Sequence, residues 1–382
     1  MRLTLVISSL SRGGVEHVMS TLAGYWAAAG HEVTLLSLGP TGSDAYPLPP
    51  AVRRIGLNLL HTPRHLLRAI LDNIERWRKL RSTLLALRPD AIVSFAAETN
   101  ILTLAACAGF DIPVVVSERV DPRAYRIGWC REWLRRRLYP RARAVTVQTE
   151  AVRRWMAREI PGARARVIPN PAVFPDDAPP GPPGASSPDP ALPSGGRWIV
   201  AMGRLTPQKG FDLLLRAFAR CAPDHPEWRL AILGEGRERA PLEALGTELG
   251  IRSRLWLPGL VSRPAEILRR ADLFVLPSRF EGFPNALLEA MACGLAAIAA
   301  DCPSGPGDII REGENGLLVP PEDPDSLSSA MRLLMGNETA RRRLASAAPG
   351  VTRQFSFDRV MGLWDALLSE TRPACFHGAP TP

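Results

Sequence analysis

Residues 273–294 read Leu273-Phe274-Val275-Leu276-Pro277-Ser278-Arg279-Phe280-Glu281-Gly282-Phe283-Pro284-Asn285-Ala286-Leu287-Leu288-Glu289-Ala290-Met291-Ala292-Cys293-Gly294. The four apolar residues at the head predict a short buried strand. The turn through Gly282 then leads into a helix, with Pro284 near its first position. Such a unit aims free backbone N–H groups and the positive end of a helix beyond the strand, where phosphate binds readily. Glu281 stands in the loop before the turn, and Glu289 about one turn inside the helix. Two carboxylates flanking a phosphate-sized nest suit a nucleotide sugar, one for sugar hydroxyls and one for ribose hydroxyls. A capped helix with a surface glutamate fits the same spacing equally well.

The same unit recurs on either side. Gly203-Arg204-Leu205-Thr206-Pro207-Gln208-Lys209-Gly210-Phe211 follows the apolar run 198–202 and opens another helix. Arg204 and Lys209 can supply cations to a diphosphate in the same crevice. Of the 47 basic residues only Lys79 and Lys209 are lysine. Lys209 therefore stands out, because a compact ammonium and a forked guanidinium do not replace one another on a phosphate. Ser9-Leu10-Ser11-Arg12-Gly13-Gly14-Val15-Glu16 repeats the pattern near the amino terminus, as a phosphate cradle or as a plain helix start. Neither it nor Gly234-Glu235-Gly236-Arg237 carries the third glycine of a dinucleotide fingerprint, which argues against a NAD enzyme.

Strand signals at 3–8, 33–38, 91–95, 113–117, 144–148 and 166–168 alternate with helical patterns. After 197 the alternation restarts. This is the signature of parallel, doubly wound sheets. The expected architecture is α/β, with two Rossmann-like domains facing each other across a cleft, the default ligand site. The first domain is placed at 1–174. A linker at 175–196 holds eight prolines and four glycines. The second domain covers 197–355, and 356–382 forms a C-terminal helix, able to cross back to the first domain, and a tail.

Composition narrows the class. The chain has 382 residues, 46% hydrophobic and 22% charged, which excludes a disordered, collagen-like or disulfide-scaffold protein. The longest apolar stretch, around 101–110, is about half of a bilayer span. The run after Met1-Arg2 reads as a first buried strand rather than a signal peptide. Six scattered cysteines without a C-x-x-C pair read as reduced thiols of a cytosolic protein, with no zinc site. Asp323-Pro324-Asp325 reads as helix N-cap chemistry rather than a metal-binding D-x-D. The formal charge of +9 is uneven: residues 1–170 carry 25 Lys and Arg against 13 Asp and Glu. An anionic partner is expected at the first half, whether membrane surface, phosphorylated ligand or nucleic acid. The basic residues are interleaved with leucines, and no recognition motif is present, which argues against nucleic acid.

Taken jointly, these motifs resemble the retaining glycosyltransferases of family 4. Glu281 to Glu289 matches the E-x7-E motif. The G-R-L-x-x-Q-K-G loop, the amino-terminal G-G-x-E and Asn315-Gly316-Leu317-Leu318-Val319 match as well, so the resemblance spans nearly the whole chain. It implies the GT-B fold, with a nucleotide sugar held mainly by the second domain and the acceptor by the first. Carried over, Arg204 and Lys209 contact the donor diphosphate, Glu281 the donor sugar, and Glu289 the ribose. Backbone N–H groups around Phe283, Asn285 and Ala286 meet sugar and phosphates, and Gly14 lets the backbone approach the diphosphate. Pro284 stands where many relatives have glycine, so one N–H contact is absent.

Ser117-Glu118-Arg119-Val120-Asp121-Pro122 and Asp301-Cys302-Pro303-Ser304-Gly305-Pro306 resemble a narrower subgroup. Its members extend bacterial polysaccharides or lipid-linked oligosaccharides from UDP-hexoses or UDP-N-acetylhexosamines. Many family members have a histidine where this chain has Ser117-Glu118. Glu118 is the candidate substitute, with Gly13 and Arg119 also on the acceptor side. The resemblance further implies front-face transfer with retention and no metal or cofactor. Same-fold alternatives are a UDP-sugar epimerase or phosphorylase; a non-catalytic partner subunit is opposed by the intact E-x7-E and Lys209.

Residues 64–85 read as an amphipathic helix with Leu67, Ile70, Leu71, Ile74, Trp77 and Leu84 on one side and Arg64, Arg68, Arg76, Arg78, Lys79 and Arg81 among the rest. A second basic cluster, Arg131, Arg135, Arg136, Arg137, Arg141 and Arg143, surrounds Trp129 and Trp133. A polyprenyl diphosphate acceptor would bring phosphates and an anionic bilayer to this half. The expectation is peripheral association with the inner face of the cytoplasmic membrane. A core-packed helix with a solvated basic face fits residues 64–85 equally well.

Overall fold

The computed structural model describes residues 1–11, 13–42, 44–60, 66–172 and 192–371, with side chains from 70 onward in the helix that begins at 66. Most of the proline-rich stretch, 173–191, lies outside them. The chain divides into two units, Met1–Pro169 with Val360–Pro382, and Asn170–Arg359.

The first unit holds strands β1 (Arg2–Ile7), β2 (Glu32–Ser37), β3 (Val52–Gly56), β4 (Ala91–Phe95), β5 (Val114–Ser117), β6 (Ala144–Val147) and β7 (Ala165–Val167). All pair in parallel, in the order β3-β2-β1-β4-β5-β6-β7. The helices are α1 (Gly14–Ala28), α2 (Leu66–Leu87), α3 (Ala97–Ala106), α4 (Trp129–Leu138) and α5 (Glu150–Glu159). Leu80 and Leu84 of α2, Leu104 of α3, Leu138 of α4 and Met156 of α5 share one core with Val6, Ile92, Val116 and Val145.

The second unit repeats the plan with β8 (Arg197–Met202), β9 (Trp228–Leu233), β10 (Leu255–Gly259), β11 (Leu273–Leu276), β12 (Ala296–Ala300) and β13 (Leu317–Val319), in the order β10-β9-β8-β11-β12-β13. Its helices are α6 (Phe211–Cys221), α7 (Arg239–Glu248), α8 (Pro264–Leu268), α9 (Asn285–Ala292), α10 (Pro306–Ile309), α11 (Pro324–Gly336), α12 (Glu338–Ala347) and α13 (Val351–Gln354). Side chains alternate across the sheet, as a pleat requires. Ile199, Leu230, Ile232 and Val275 pack under α6 and α11, while Val200, Ala231, Phe274 and Leu276 pack under α8 and α9. A sheet buried on both faces explains why its strands read as unbroken apolar runs.

The final helix α14 (Phe357–Thr371) belongs from Val360 onward to the first unit. Trp364 packs edge-on to Trp26 and over Phe95, each at 6.0 Å between ring centroids. Asp365 accepts bonds from Tyr25 Oη at 2.6 Å and Trp26 Nε1 at 3.0 Å.

Two elements were not legible beforehand. β3 carries Arg53 and Arg54 in an edge strand, so its apolar signal is thin. Arg54 is instead satisfied by Asp44 at 2.7 Å and by the Ser37 hydroxyl at 2.8 Å. β13 is only three residues long. The expected apolar side of α2 also divides: Leu84 is buried, as is Leu80, which is not among the residues expected on that side, but Ile70, Leu71, Ile74 and Trp77 are exposed. Arg64 and the side chains of Leu67 and Arg68 lie outside the described residues.

Candidate active site

In both sheets the strand order reverses beside the first strand of the unit, between β1 and β4 and between β8 and β11. Loops leaving two such strands diverge to opposite sides and leave a crevice at their carboxyl ends. In the second unit those loops are 203–210 and 277–284, the two segments singled out from sequence.

They are fastened to each other. Arg279 N donates to Gln208 O at 2.8 Å, and Gln208 Nε2 returns a bond to Phe280 O at 3.0 Å. The Arg279 guanidinium forks onto Asp212, both bonds 2.8 Å, and reaches Pro207 O at 2.6 Å. Gly210 sits at φ +64°, and a Cβ there would lie 2.1 Å from Pro277 O. That backbone oxygen has nowhere to go, so glycine is required. Gly210→Ala is expected to cost about 2 kcal/mol or more, from left-handed strain plus the clash. A urea melt read by far-UV circular dichroism checks it.

This fastening places Lys209 Nζ 2.6 Å from Glu281 Oε1. Ser278 Oγ donates to the same oxygen at 2.7 Å, and Ser304 Oγ holds the Glu281 carbonyl at 2.7 Å. Glu281 is buried and Lys209 only partly exposed. The Lys209 stem packs on Gly203, where a Cβ would fall 3.1 Å from Cε. Arg204, by contrast, is exposed and has no acidic partner among the described residues. It is a cation free to meet a ligand.

α9 starts at Asn285, and its first N–H groups have no acceptor within the helix. Phe283 is buried against Phe355, rings 5.3 Å apart. Asn285 Oδ1 accepts from Asn170 Nδ2 at 2.5 Å, which orients it. Gly305, at φ +100°, lets α10 approach Pro284, since a Cβ there would sit 2.7 Å from Pro284 Cδ. Glu289 lies one turn into α9, with no donor to its carboxylate among the described residues. Burial pushes its pKa up to about 7. The second unit therefore collects Arg204, Lys209, Glu281, Phe283, Asn285, Ala286 and Glu289 on the loops and helix start around one crevice. Asp323 caps α11, accepting from the N–H groups of Asp325 and Ser326. Ser278, Ser304 and Asn170 were missed from sequence: Ser304 and Asn170 serve by touching residues distant in the chain, Ser278 touches Glu281 within its own loop, and a lone Ser or Asn gives no local signal.

In the first unit, Gly13 and Gly14 lie where β1 gives way to α1. The Tyr46 hydroxyl bridges Gly13, accepting from its N–H at 3.2 Å and donating to its carbonyl at 3.0 Å. His17 stacks on Tyr46 at 5.1 Å, and burial lowers its pKa. Glu118 and Arg119 follow β5, but their settings differ. Glu118 is buried: it accepts a hydrogen bond from the Tyr139 hydroxyl and pairs with Arg135 Nη1 at 3.5 Å, and burial raises its pKa. Asn100 Nδ2 ties Tyr139 Oη, at 3.2 Å, to the Ser117 carbonyl, at 2.8 Å. Arg119 lies over the Phe95 ring at 4.5 Å, and burial lowers its pKa to about 9. Arg135, expected within a basic surface cluster, is instead buried between Glu118 and Glu132. Its charge compensates carboxylates and is not offered to a ligand.

Glu118→Ala would leave the buried Arg135 without that partner. Removing half of a buried pair costs about 3–5 kcal/mol, whereas Glu118→Gln retains an acceptor for Tyr139. Thermal melts of both are expected to show a large loss for alanine and a smaller one for glutamine.

Two family models match the chain, one described as Glycosyltransferase Family 4 over residues 12–172 and one as Glycosyl transferases group 1 over residues 185–351. Each falls on one of the two sheets. The chain belongs to the GT-B glycosyltransferases. Over 98% of its length it is 26% identical to a Campylobacter jejuni enzyme, covered entirely, whose name gives an undecaprenyl-diphosphate-linked acceptor and N-acetylgalactosaminyl transfer. A 37% identical match to an exopolysaccharide phosphotransferase of Streptomyces coelicolor covers 60% of this glycosyltransferase but only 24% of that protein. Among solved structures, sucrose-phosphate synthase from Thermosynechococcus elongatus superposes with a TM-score of 0.80 at 20% identity, covering 97% of this chain and 100% of that one. Anabaena HepE in complex with UDP and glucose does so with a TM-score of 0.76 at 17% identity, covering 97% and 100%. These likenesses show the fold. The relatives include bacterial lipopolysaccharide and lipid-linked saccharide glycosyltransferases.

Proposed function

We propose that this glycosyltransferase moves a hexose or N-acetylhexosamine from a UDP-sugar to a saccharide carried on a polyprenyl diphosphate, with retention, in bacterial surface polysaccharide or oligosaccharide assembly. The observation that carries the reading is the Lys209–Glu281 pair, set with the unpartnered Arg204 and the start of α9 at the β8/β11 crevice. These groups combine donors for a diphosphate with a carboxylate for sugar hydroxyls.

In the mechanism, Arg204, Lys209 and the first N–H groups of α9 neutralise the negative charge that grows on the departing diphosphate. Glu281 orients the sugar through its hydroxyls. Its Oε1 already takes bonds from Lys209 and Ser278, which supports a positioning role rather than nucleophilic attack. The leaving phosphate oxygen accepts the acceptor's proton on the same face as bond breaking, so configuration is kept. Charge neutralisation by these residues needs no metal, and EDTA is expected to leave the rate unchanged.

The support for a lipid-linked acceptor is the Campylobacter relative matched over its whole length together with the basic first half. The protein would then work at the inner face of the cytoplasmic membrane. No helix of the described residues is long and apolar enough to cross it. The test is transfer from UDP-glucose, UDP-galactose and their N-acetyl forms to a detergent-solubilised polyprenyl-diphosphate saccharide. An α-linked product by NMR supports retention. A β-linked product defeats the proposed stereochemistry, and no product from any of the four donors defeats the donor class.

A further inference from the structure

The first unit leaves an unusual set of large apolar side chains in water. On α2, Ile70 and Leu71 are 50% and 58% exposed; on α4, Trp129 and Trp133 are 84% and 61% exposed. Single exposed apolar residues are ordinary, but a grouped set marks an interaction surface.

Topology puts them together. In a parallel sheet each crossover helix begins at the carboxyl end of the strand before it, so α2 (after β3) and α4 (after β5) both begin at that edge. α3 lies between them. Trp77 Nε1 and Arg81 Nη1 of α2 donate to Ala105 O at 3.1 Å and Ala106 O at 2.7 Å, at the end of α3, which leaves the first turns of α2 level with the start of α3. Arg131 of α4 pairs with Glu98 in the first turn of α3 at 3.8 Å. The exposed residues therefore share the edge that carries Gly13, Gly14, Ser117 and Arg119.

The charge on this face is selective. Arg76 is bound to Leu59 O at 2.9 Å, and Arg81 also reaches Ala108 O. Neither is offered to a ligand. Arg78, Lys79, Arg126 and Arg137 are exposed with no acidic partner among the described residues. Trp129, Trp133 and Arg137 follow at four-residue steps on α4, and Ile74 and Arg78 do so on α2, so each apolar stripe ends in a cation. Of the acids, Asp72 is buried and Glu132 is held by Arg135 and Arg136, while Glu75 stays exposed. Aromatic and aliphatic side chains bordered by guanidinium groups match the acyl boundary and the anionic headgroups of a bilayer.

We propose that the first turns of α2 and α4 form one docking surface for an anionic lipid bilayer, inserting Ile70, Leu71, Ile74, Trp129 and Trp133 while Arg78, Lys79, Arg126 and Arg137 meet headgroup phosphates. The proposal rests on the reading of a lipid-linked acceptor. It sets the carboxyl edge of the first sheet at headgroup depth, where an acceptor diphosphate arrives by lateral diffusion in the membrane.

The experiment uses the full-length protein with vesicles of phosphatidylcholine, alone or mixed with phosphatidylglycerol, read by co-sedimentation and by quenching of tryptophan emission with brominated lipid. Binding is expected only to the anionic vesicles and is expected to weaken with salt. W129A/W133A is expected to weaken it about tenfold and abolish most of the quenching, with an unchanged melting temperature because both side chains are exposed. R126E/R137E is expected to weaken it at least as much. Equal binding to neutral and anionic vesicles, or unaltered binding by W129A/W133A, overturns the proposal. So does a lipid-free dimer in sedimentation velocity that W129A/W133A dissolves, since the face is then a self-association surface. Transfer to a detergent-solubilised acceptor separates the two ideas. Activity without vesicle binding rejects the docking surface alone; vesicle binding without activity supports docking and rejects the functional reading.

Discussion

Lys209→Ala is expected to lower kcat by about 10²–10³-fold, the usual cost of losing one donor to a developing oxyanion. Glu281→Ala is expected to match it in severity, since it removes the sugar-positioning carboxylate and frees the ammonium that it holds. The two groups touch at 2.6 Å in a largely buried setting, so either single change also leaves its partner uncompensated, at about 3 kcal/mol. K209M/E281Q separates stability from chemistry. The double variant removes both charges, so it is expected to recover most of the stability lost by either single one and none of the activity. Steady-state transfer rates with urea melts on the three variants form the cycle. Arginine is not expected to rescue position 209, because the lysine stem already packs on Gly203 and a forked guanidinium needs more room. A Lys209→Ala enzyme with wild-type kcat would remove the residue from the mechanism.

Donor affinity is expected to fall as the pH drops through about 7, the value to which burial pushes the Glu289 carboxyl. An ionised Glu289 accepts ribose hydroxyl bonds with full charge, whereas the protonated acid loses that charge assistance. Hydrogen bonds to a charged group are worth about 1.5–3 kcal/mol, so Glu289→Gln should raise donor KM by about 10–100-fold and flatten its pH profile. With the ribose remote from the reacting bond, kcat should change little. The stability effect has the opposite sense. The folded-state pKa is raised from 4.5, so the folded form holds this proton more tightly than the unfolded chain. The resulting stability is full below about 4.5 and is lost as the pH rises through about 7. Glu289→Gln should therefore melt higher than wild type at pH 8 and close to it at pH 4.5. A glutamine variant with the wild-type pH dependence of donor KM would assign that titration to another group.

The relation of sequence to structure is clearest at three places. The strand–turn–helix units at 197–221 and 273–292 could be read directly because a doubly buried parallel strand is written as an apolar run, and the glycine after it has a steric reason. In the first of these units Gly210 faces Pro277 O. β3 could not be read, since an edge strand needs few apolar residues and Arg54 finds its partners, Asp44 and Ser37, elsewhere in the chain. The basic clusters could be counted but not sorted: Arg135 and Arg137 look alike in sequence, yet one is buried against Glu118 and the other lies in water.

The sequence by itself determined the two parallel α/β sheets, the crevice segments at their carboxyl edges, and Lys209, Glu281 and Glu289 as the groups of interest. Those are local properties of period, turn chemistry and residue type. Only the tertiary structure decided that Lys209 and Glu281 pair, that Glu118 turns toward Tyr139 and Arg135, and that Ile70, Leu71 and Ile74 of α2 stay in water. Contacts between residues 72 or 21 positions apart, and the reach of a core, depend on how the chain closes on itself, and no local pattern records that.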